Sequence, residues 1–284
     1  MKPAPFDYVR ADSVEHAVAR LAAANDDGEG KIIAGGQSLM PLLALRLAQP
    51  SVLIDINRVP GLDAISPRPE GGLRFGALTR HRSLARARHP LLAEAARWVG
   101  HAAIRTRGTL GGSLAHADPA AELPVVAVAA GAVVLAAGPG RQRRIPAADL
   151  FTGALQTSLD DGELIEAVEF PALGRWGFAE FARRHGDFGL VVAAAAEVEG
   201  RLRLALGGVA GRPVRPAAAE AVLAGGPLDT ARISEAAEAA AGEIEPASDI
   251  HATAGYRRQL TRVLVTRALT QAAAGRMQEE ESCA

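Results

Sequence analysis

The chain has 284 residues, with 31 Lys+Arg against 32 Asp+Glu and a formal net charge of -1. That balance excludes the basic excess of a nucleic-acid-binding surface. A single cysteine, Cys283, excludes an intrachain disulfide and a cysteine-held iron–sulfur cluster or structural zinc of the chain's own.

The hydrophobic fraction is 49%, enough for a sizeable core, while aromatic residues make up only 4%. Alanine and glycine take their place, which implies closely packed elements. The longest apolar stretch, residues 124–137, contains Gly131 and falls short of the about 20 residues that span a bilayer. Met1-Lys2-Pro3 is not followed by an apolar run, so a cytoplasmic protein with no integral membrane segment is expected.

Residues 13–24 place Val14, Ala17, Val18 and Leu21 at helical spacing behind a Ser13 N-cap. Residues 31–34 read as a short strand that ends in Gly35-Gly36. A helix over 39–47 follows, with Pro41 tolerated in its first turn. Residues 52–56 and 73–78 read as strands, with Thr79 able to cap what comes next. Residues 90–99 form a helix that opens on Pro90. Residues 109–121, rich in glycine, alanine and serine, read as a loop, followed by a helix at 123–130 and a strand at 132–136.

Beyond Pro171 the pattern changes. Residues 178–183 are strand-like, and 190–198 and 202–209 flank Glu199-Gly200-Arg201, a hairpin signal. Two helices are predicted to close the chain, at 233–244 and 252–274. The second places Tyr256, Leu260, Val263 and Leu264 on one face and Arg258 and Arg262 on another. A boundary near residues 171–176 therefore separates a mixed α/β region from a hairpin-plus-helix region.

Two glycine segments stand out: Ala34-Gly35-Gly36-Gln37-Ser38-Leu39, and Gly108-Thr109-Leu110-Gly111-Gly112-Ser113-Leu114. Paired glycines lack the Cβ atoms that keep a ligand off the backbone. Free N–H groups can then converge on phosphate oxygens, assisted by the hydroxyls of Ser38, Thr109 and Ser113. No lysine lies inside either segment, so dipoles would hold the anion, and two such segments suit a diphosphate gripped from both sides. For either segment alone the competing reading is a plain tight turn. Neither has the G-x-G-x-x-G spacing, and Gly30-Lys31 lacks the upstream glycine of a P-loop, since Asn25 sits there. His116 and Asp118 have no third ligand spaced nearby, so no metal site is expected.

The two glycine segments, in this order, resemble the FAD-binding segments of the medium subunit of carbon monoxide dehydrogenase and its relatives. Those relatives include the flavin portion of xanthine dehydrogenase and bacterial N-heterocycle hydroxylases. The likeness runs over nearly the whole chain, through Pro3-Ala4-Pro5-Phe6-Asp7-Tyr8, Val52-Leu53-Ile54-Asp55-Ile56-Asn57 and Glu180-Phe181-Ala182-Arg183-Arg184-His185-Gly186-Asp187-Phe188. It implies an α+β protein with a vanillyl-alcohol-oxidase-type (PCMH-type) FAD-binding fold. Two α/β subdomains would occupy residues 1–173, and a smaller α+β domain at 174–280 would cover the flavin.

The resemblance also implies site residues. Ile32, Ile33, Ala34, Gly35, Gly36, Gln37, Ser38 and Leu39 would line the diphosphate and ribityl side. Thr109, Leu110, Gly111, Gly112 and Ser113 would form the second clamp, with Asp118 and Glu122 on the following loop. Glu122 takes the place of an aspartate that in relatives bonds sugar or ribityl hydroxyls, and a carboxylate suits a diol because it accepts two hydrogen bonds. Its plainer alternative is to cap the helix starting near Leu123. Leu164 and Ile165 would fall near the isoalloxazine, or simply fill a buried strand. Val99 stands where some relatives place an aromatic against the adenine. The lysine that some relatives carry near Ala179 is missing, which makes Arg183, Arg184 and Asp187 candidates to tune the flavin, with exposed ion pairing as their plainer alternative.

The resemblance implies an oxidoreductase subunit without a catalytic acid, base or nucleophile of its own. Substrate would be oxidised at a molybdenum cofactor on a large subunit. Electrons would pass through two [2Fe-2S] clusters on a small subunit to FAD and on to a quinone, NAD or a carrier protein. The assembly would be a dimer of heterotrimers. A stand-alone FAD oxidase or dehydrogenase is the alternative reading, and a non-enzymatic anion-binding module is a second one.

Overall fold

The computed structural model describes residues 2–27, 29–184 and 186–282. Cys283 and His185 lie outside the described residues. The fold is α+β, built on three principal sheets.

The first sheet is parallel. It contains β1 (Asp7–Arg10), β2 (Gly30–Ile33) and β3 (Val52–Asp55) in the order β1-β3-β2. The crossover from β1 to β2 is α1 (Val14–Asp27), and α2 (Leu39–Ala44) follows β2. The predicted face of α1 is the buried one: Ala17, Val18 and Leu21 pack on Ile54 and Ile56. Burying one such Val or Leu contributes about 1.5–3 kcal/mol, so this face fixes α1 across the sheet.

The second sheet has five strands in the order β4-β5-β10-β6-β7. Its members are β4 (Ile65–Pro67), β5 (Leu73–Gly76), β6 (Val133–Gly138), β7 (Arg141–Pro146) and β10 (Leu164–Phe170). Between β5 and β6 run α3 (His81–Leu84), α4 (Pro90–Trp98), α5 (Ala102–Arg107), α6 (Leu110–His116) and α7 (Glu122–Ala129). After β7 come α8 (Ala147–Leu150) and the small pair β8 (Phe151–Gly153) and β9 (Gln156–Thr157). All eight residues of α7 are buried. A helix buried on every side has no face to show water, and α7 accordingly packs between helices α4, α6 and α8 and the next sheet.

The third sheet is the antiparallel run β11 (Trp176–Phe181), β12 (Val191–Val198) and β13 (Arg201–Gly207). One face meets α7 through Phe178, Val192 and Ala194. The other meets α11 (Ala254–Ser282) and α9 (Ala217–Ala224), with α10 (Thr230–Glu243) packed against both helices. Covered on both faces, β12 reads as an unbroken apolar run rather than an alternating one, and its alanines keep the layers close. The predicted hairpin is present, with Glu199 and Gly200 both at positive φ.

Four expectations change. Residues 109–121 are not one loop, because α6 occupies their first half. Glycine-rich sequence is a weak helix former, but tertiary packing stabilises short helices, and Leu110 and Leu114 are fully buried here. Thr79 does not cap α3: the N-cap is Arg80, and Thr79 is buried with its hydroxyl unpartnered among the described residues. Helix α9, behind Pro216, had no apolar periodicity to announce it. On α11, Leu260 and Leu264 are buried but Tyr256 and Val263 are exposed. Arg257 joins the buried stripe instead, donating to the Gly208 carbonyl and to Asp249, each at 2.8 Å. Among the described residues no helix is long and apolar enough to cross a membrane.

Candidate functional site

The first glycine segment is the turn between β2 and α2. Asn57, just beyond β3, holds its entry. The Asn57 side-chain amide donates to the Ala34 carbonyl at 2.7 Å and to Asp55 Oδ1 at 2.7 Å. Gly36 sits at φ +73, a region that side chains other than glycine rarely adopt. The Gly36 carbonyl accepts from Met40 N–H at 3.1 Å, and the chain winds into α2. The N–H groups of Gly35, Gly36, Gln37, Ser38 and Leu39 have no acceptor among the described residues. Such a row is an anion-binding concavity.

The second glycine segment is built differently. Thr109 caps α6, its hydroxyl accepting from Gly112 N–H at 3.1 Å and its carbonyl from Ser113 N–H at 3.0 Å. Leu110 N–H donates to Thr79 O at 3.0 Å, and Gly111 N–H to Ala77 O at 2.9 Å. These four donors are therefore taken. Gly111 is needed for packing, since a Cβ there would lie 2.6 Å from Ala77 Cβ. Gly112 is exposed, and the Ser113 hydroxyl makes no hydrogen bond among the described residues. This segment offers a ligand a bare backbone surface and one hydroxyl, not a second row of free N–H groups.

The two segments touch at Gly35. A Cβ there would lie 2.9 Å from the Arg107 carbonyl carbon and 3.0 Å from Gly108 Cα. Arg80 stitches them together, donating to the Arg107 carbonyl and, at 2.6 Å, to Asn57 Oδ1. His81 braces the same seam: its N–H reaches Gly108 O at 3.0 Å, and its Nε2 lies 2.9 Å from Thr109 O. Burial, with Arg80 and Arg105 nearby, drives His81 down to about 4 against the pull of that bond. It is neutral at pH 7, with Nε2–H as the donor.

A cleft of about 530 Å³ opens here, lined by Tyr8, residues 33–37, Met40, Pro41, Asp55, Asn57 and Arg107. Arg107 is a basic lining residue that reading the loops for lysine missed, because it precedes the second glycine segment rather than lying within it, and its backbone carbonyl is the part that meets Gly35. Burial opposes ionisation of Asp55, but hydrogen bonds from Tyr8 and Asn57, with Arg10 nearby, outweigh it and hold Asp55 below its ordinary value.

The other predicted residues sit apart from this cleft's lining. Asp118 Oδ1 accepts from Ala120 N–H at 2.9 Å. Glu122 does not cap α7, whose N-cap is Ala121. It is buried as the first residue of the helix, and burial pushes it up to about 7, with Asp118 adding to the effect. Glu180 on β11 is pushed up to about 9 by burial and by Glu122. The strand-like sequence around it gave no sign of this. Leu164 packs with Ile54 and Leu78, Ile165 joins the central core, and Val99 packs against that core's edge. Arg183 contacts His251 Nδ1 at 2.8 Å. Among the described residues no group of three or more His, Cys, Asp or Glu could hold a metal ion.

Residues 4–173 match the family model described as the FAD binding domain in molybdopterin dehydrogenase. Residues 176–272 match that of the CO dehydrogenase flavoprotein C-terminal domain. The chain belongs to the FAD-binding medium subunits of the molybdenum hydroxylases. It is 45% identical to the 6-hydroxypseudooxynicotine dehydrogenase complex subunit alpha of Paenarthrobacter nicotinovorans, over 96% of each chain. It is 35% identical to the carbon monoxide dehydrogenase medium chain of Hydrogenophaga pseudoflava, over 96% of this chain and 98% of that one. Among solved structures, quinoline 2-oxidoreductase from Pseudomonas putida 86 superposes with a TM-score of 0.89 at 39% identity, covering 97% of this chain and 99% of that chain. The medium subunit is thus an oxidoreductase component, and the cleft beside Gly35–Leu39 lies within its FAD-binding domain.

Proposed function

We propose that this medium subunit is the electron-transfer flavoprotein of a cytoplasmic complex. It would take electrons from [2Fe-2S] clusters on a small subunit and pass them to a quinone, NAD or a carrier protein. The carrying observation is the row of unsatisfied N–H groups from Gly35 to Leu39 on the cleft that Arg107 also lines. FAD fits this chemistry, because its diphosphate needs several donors and a cation. When bound, FAD supplies the two-electron redox chemistry, and the protein supplies binding and orientation.

In this reading residues 1–173 hold the cofactor and residues 174–280 cover it. Ile32–Leu39 hold the diphosphate by backbone donors, while Thr109–Ser113 offer the bare Gly112 surface and the Ser113 hydroxyl. Asp118 and Glu122 face the sugar or ribityl hydroxyls, and Leu164 and Ile165 lie toward the ring system. The small iron–sulfur subunit and the large molybdenum-cofactor subunit assemble with it as a dimer of heterotrimers, and substrate recognition belongs to the large subunit.

Cofactor analysis tests the reading. Denaturing the purified chain should release FAD, and the isolated chain should carry no iron. Release of FMN, which has no diphosphate, would contradict the role given to the Gly35–Leu39 turn. Stoichiometric iron would contradict the division of cofactors among subunits.

A further inference from the structure

Asn57 stands where the two glycine segments meet, and both ends of its side-chain amide are engaged. The amide nitrogen has two N–H donors. One goes to the Ala34 carbonyl and one to Asp55 Oδ1, each at 2.7 Å. Its Oδ1 accepts from the Arg80 guanidinium at 2.6 Å. The flipped amide would set Oδ1 against two acceptors and its N–H groups against a cation, so the neighbours dictate this one orientation. Asp55 fixes the base of the arrangement, because it also accepts from Asn57 N–H at 2.8 Å and from the Tyr8 hydroxyl. Asp55 on β3 and Tyr8 on β1 thus anchor the amide to the parallel sheet.

The bond to Ala34 acts on the next residue. A trans peptide is planar, and its C=O and N–H point to opposite sides. Pinning the Ala34 carbonyl to Asn57 therefore aims the Gly35 N–H away from Asn57. That N–H is the first of the row without an acceptor among the described residues. Arg80 carries the control across to the second segment. A different nitrogen of its guanidinium donates to the Arg107 carbonyl, which lies against Gly35. Resting on the FAD reading above, we propose that Asn57 is a positioning residue for the FAD diphosphate. Its amide aims the Gly35 donor at phosphate and, through Arg80, holds the second glycine segment in register with the first. Aspartate could not do this, because an ionised carboxylate has no donor for Ala34 or Asp55.

The test uses the full-length chain. FAD affinity is read by flavin fluorescence, melting by circular dichroism, and the diphosphate of saturating bound FAD by phosphorus NMR. Asn57→Leu nearly keeps the side-chain volume and removes the amide's three bonds. It should weaken FAD binding about tenfold or more and move the bound phosphorus resonances toward those of free FAD. Leu206→Ala is the comparison for plain loss of stability. It opens a cavity in the core between the third sheet and its helices, so it should melt earlier and keep wild-type affinity and phosphorus resonances. Arg80→Lys keeps the charge but not the planar fork that reaches two acceptors, and should weaken binding about fivefold or more. If Asn57→Leu binds FAD with wild-type affinity and resonances, or changes them no more than Leu206→Ala does, the proposal is overturned while the glycine-turn reading stands. If Asn57→Leu does not fold, Arg80→Lys decides, and wild-type affinity there overturns the proposal. If wild type binds no FAD, or binds it with the phosphorus resonances of free FAD, both readings fail.

Discussion

Gly35→Ala is the smallest change that should open the site. The added methyl would sit 2.9 Å from the Arg107 carbonyl carbon, where ordinary contact begins at 3.4 Å, and closer still to the carbonyl oxygen. The two segments must therefore part by at least about 0.5 Å, and the obstructing atoms are backbone, which cannot swing away. Overpacking of this kind costs about 1–3 kcal/mol. Parting also strains the Arg80 bond to the Arg107 carbonyl, which shares its guanidinium with Asn57. A bond of that sort is worth about 1 kcal/mol. Whatever part of the cost is relieved in the FAD-free chain and reimposed on binding appears as lost affinity. A coupling of 1–3 kcal/mol corresponds to about 5–150-fold in Kd. FAD titration by fluorescence, with circular-dichroism melting of the same samples, separates the two contributions. A variant with wild-type melting and FAD affinity within about twofold of wild type would show that this contact does not set the cleft.

Other substitutions probe the same geometry. Gly36→Val forces a branched side chain into φ +73, a strain of about 1–2 kcal/mol, and should leave the purified chain depleted of flavin; full occupancy would return Gly36 to simple turn duty. Gly112→Val crowds the Thr109 hydroxyl at 2.8 Å and should cost about 1 kcal/mol of stability through the cap, read as a lower melting temperature. Arg107→Gln should weaken FAD binding about tenfold or more, as loss of a charged hydrogen bond does, and should reduce its salt dependence; unchanged affinity would remove Arg107 from the site. Stability should fall as pH rises from about 6.5 to about 9, because folded Glu122 and Glu180 retain protons that the unfolded chain, titrating near 4.5, has lost. Below about 6.5 His81 and His89, both lowered to about 4, act in the opposite sense. Thermal melts against pH check the sign, and a rising curve above pH 7 would contradict it.

What the sequence disclosed followed from local rules. The α1 face, the β12–β13 hairpin and the β2–α2 turn each depend on residues within a few positions of one another. The second glycine segment was misread as loop because its partners are distant: Ala77 and Thr79 supply the carbonyls that occupy its donors. Arg107 acquires meaning only when its carbonyl meets Gly35, more than 70 residues earlier in the chain. Glu180 looks like any polar residue in a strand-like run. Only the packing of α4 against β11, and of α7 against β12 and β13, shows that its side of the sheet is buried. On α11, periodicity could not anticipate that a buried arginine, satisfied by the Gly208 carbonyl and Asp249, would take a place in the stripe.

The central claim is that this chain relays electrons rather than oxidising a substrate of its own. Stopped-flow absorbance of the flavin tests it most directly, with the isolated chain and the copurified complex mixed with one substrate that reduces the complex. The flavin of the complex should bleach rapidly while that of the isolated chain stays oxidised. Reduction of the isolated chain at the rate of the complex would contradict the relay and assign the chain a substrate site of its own.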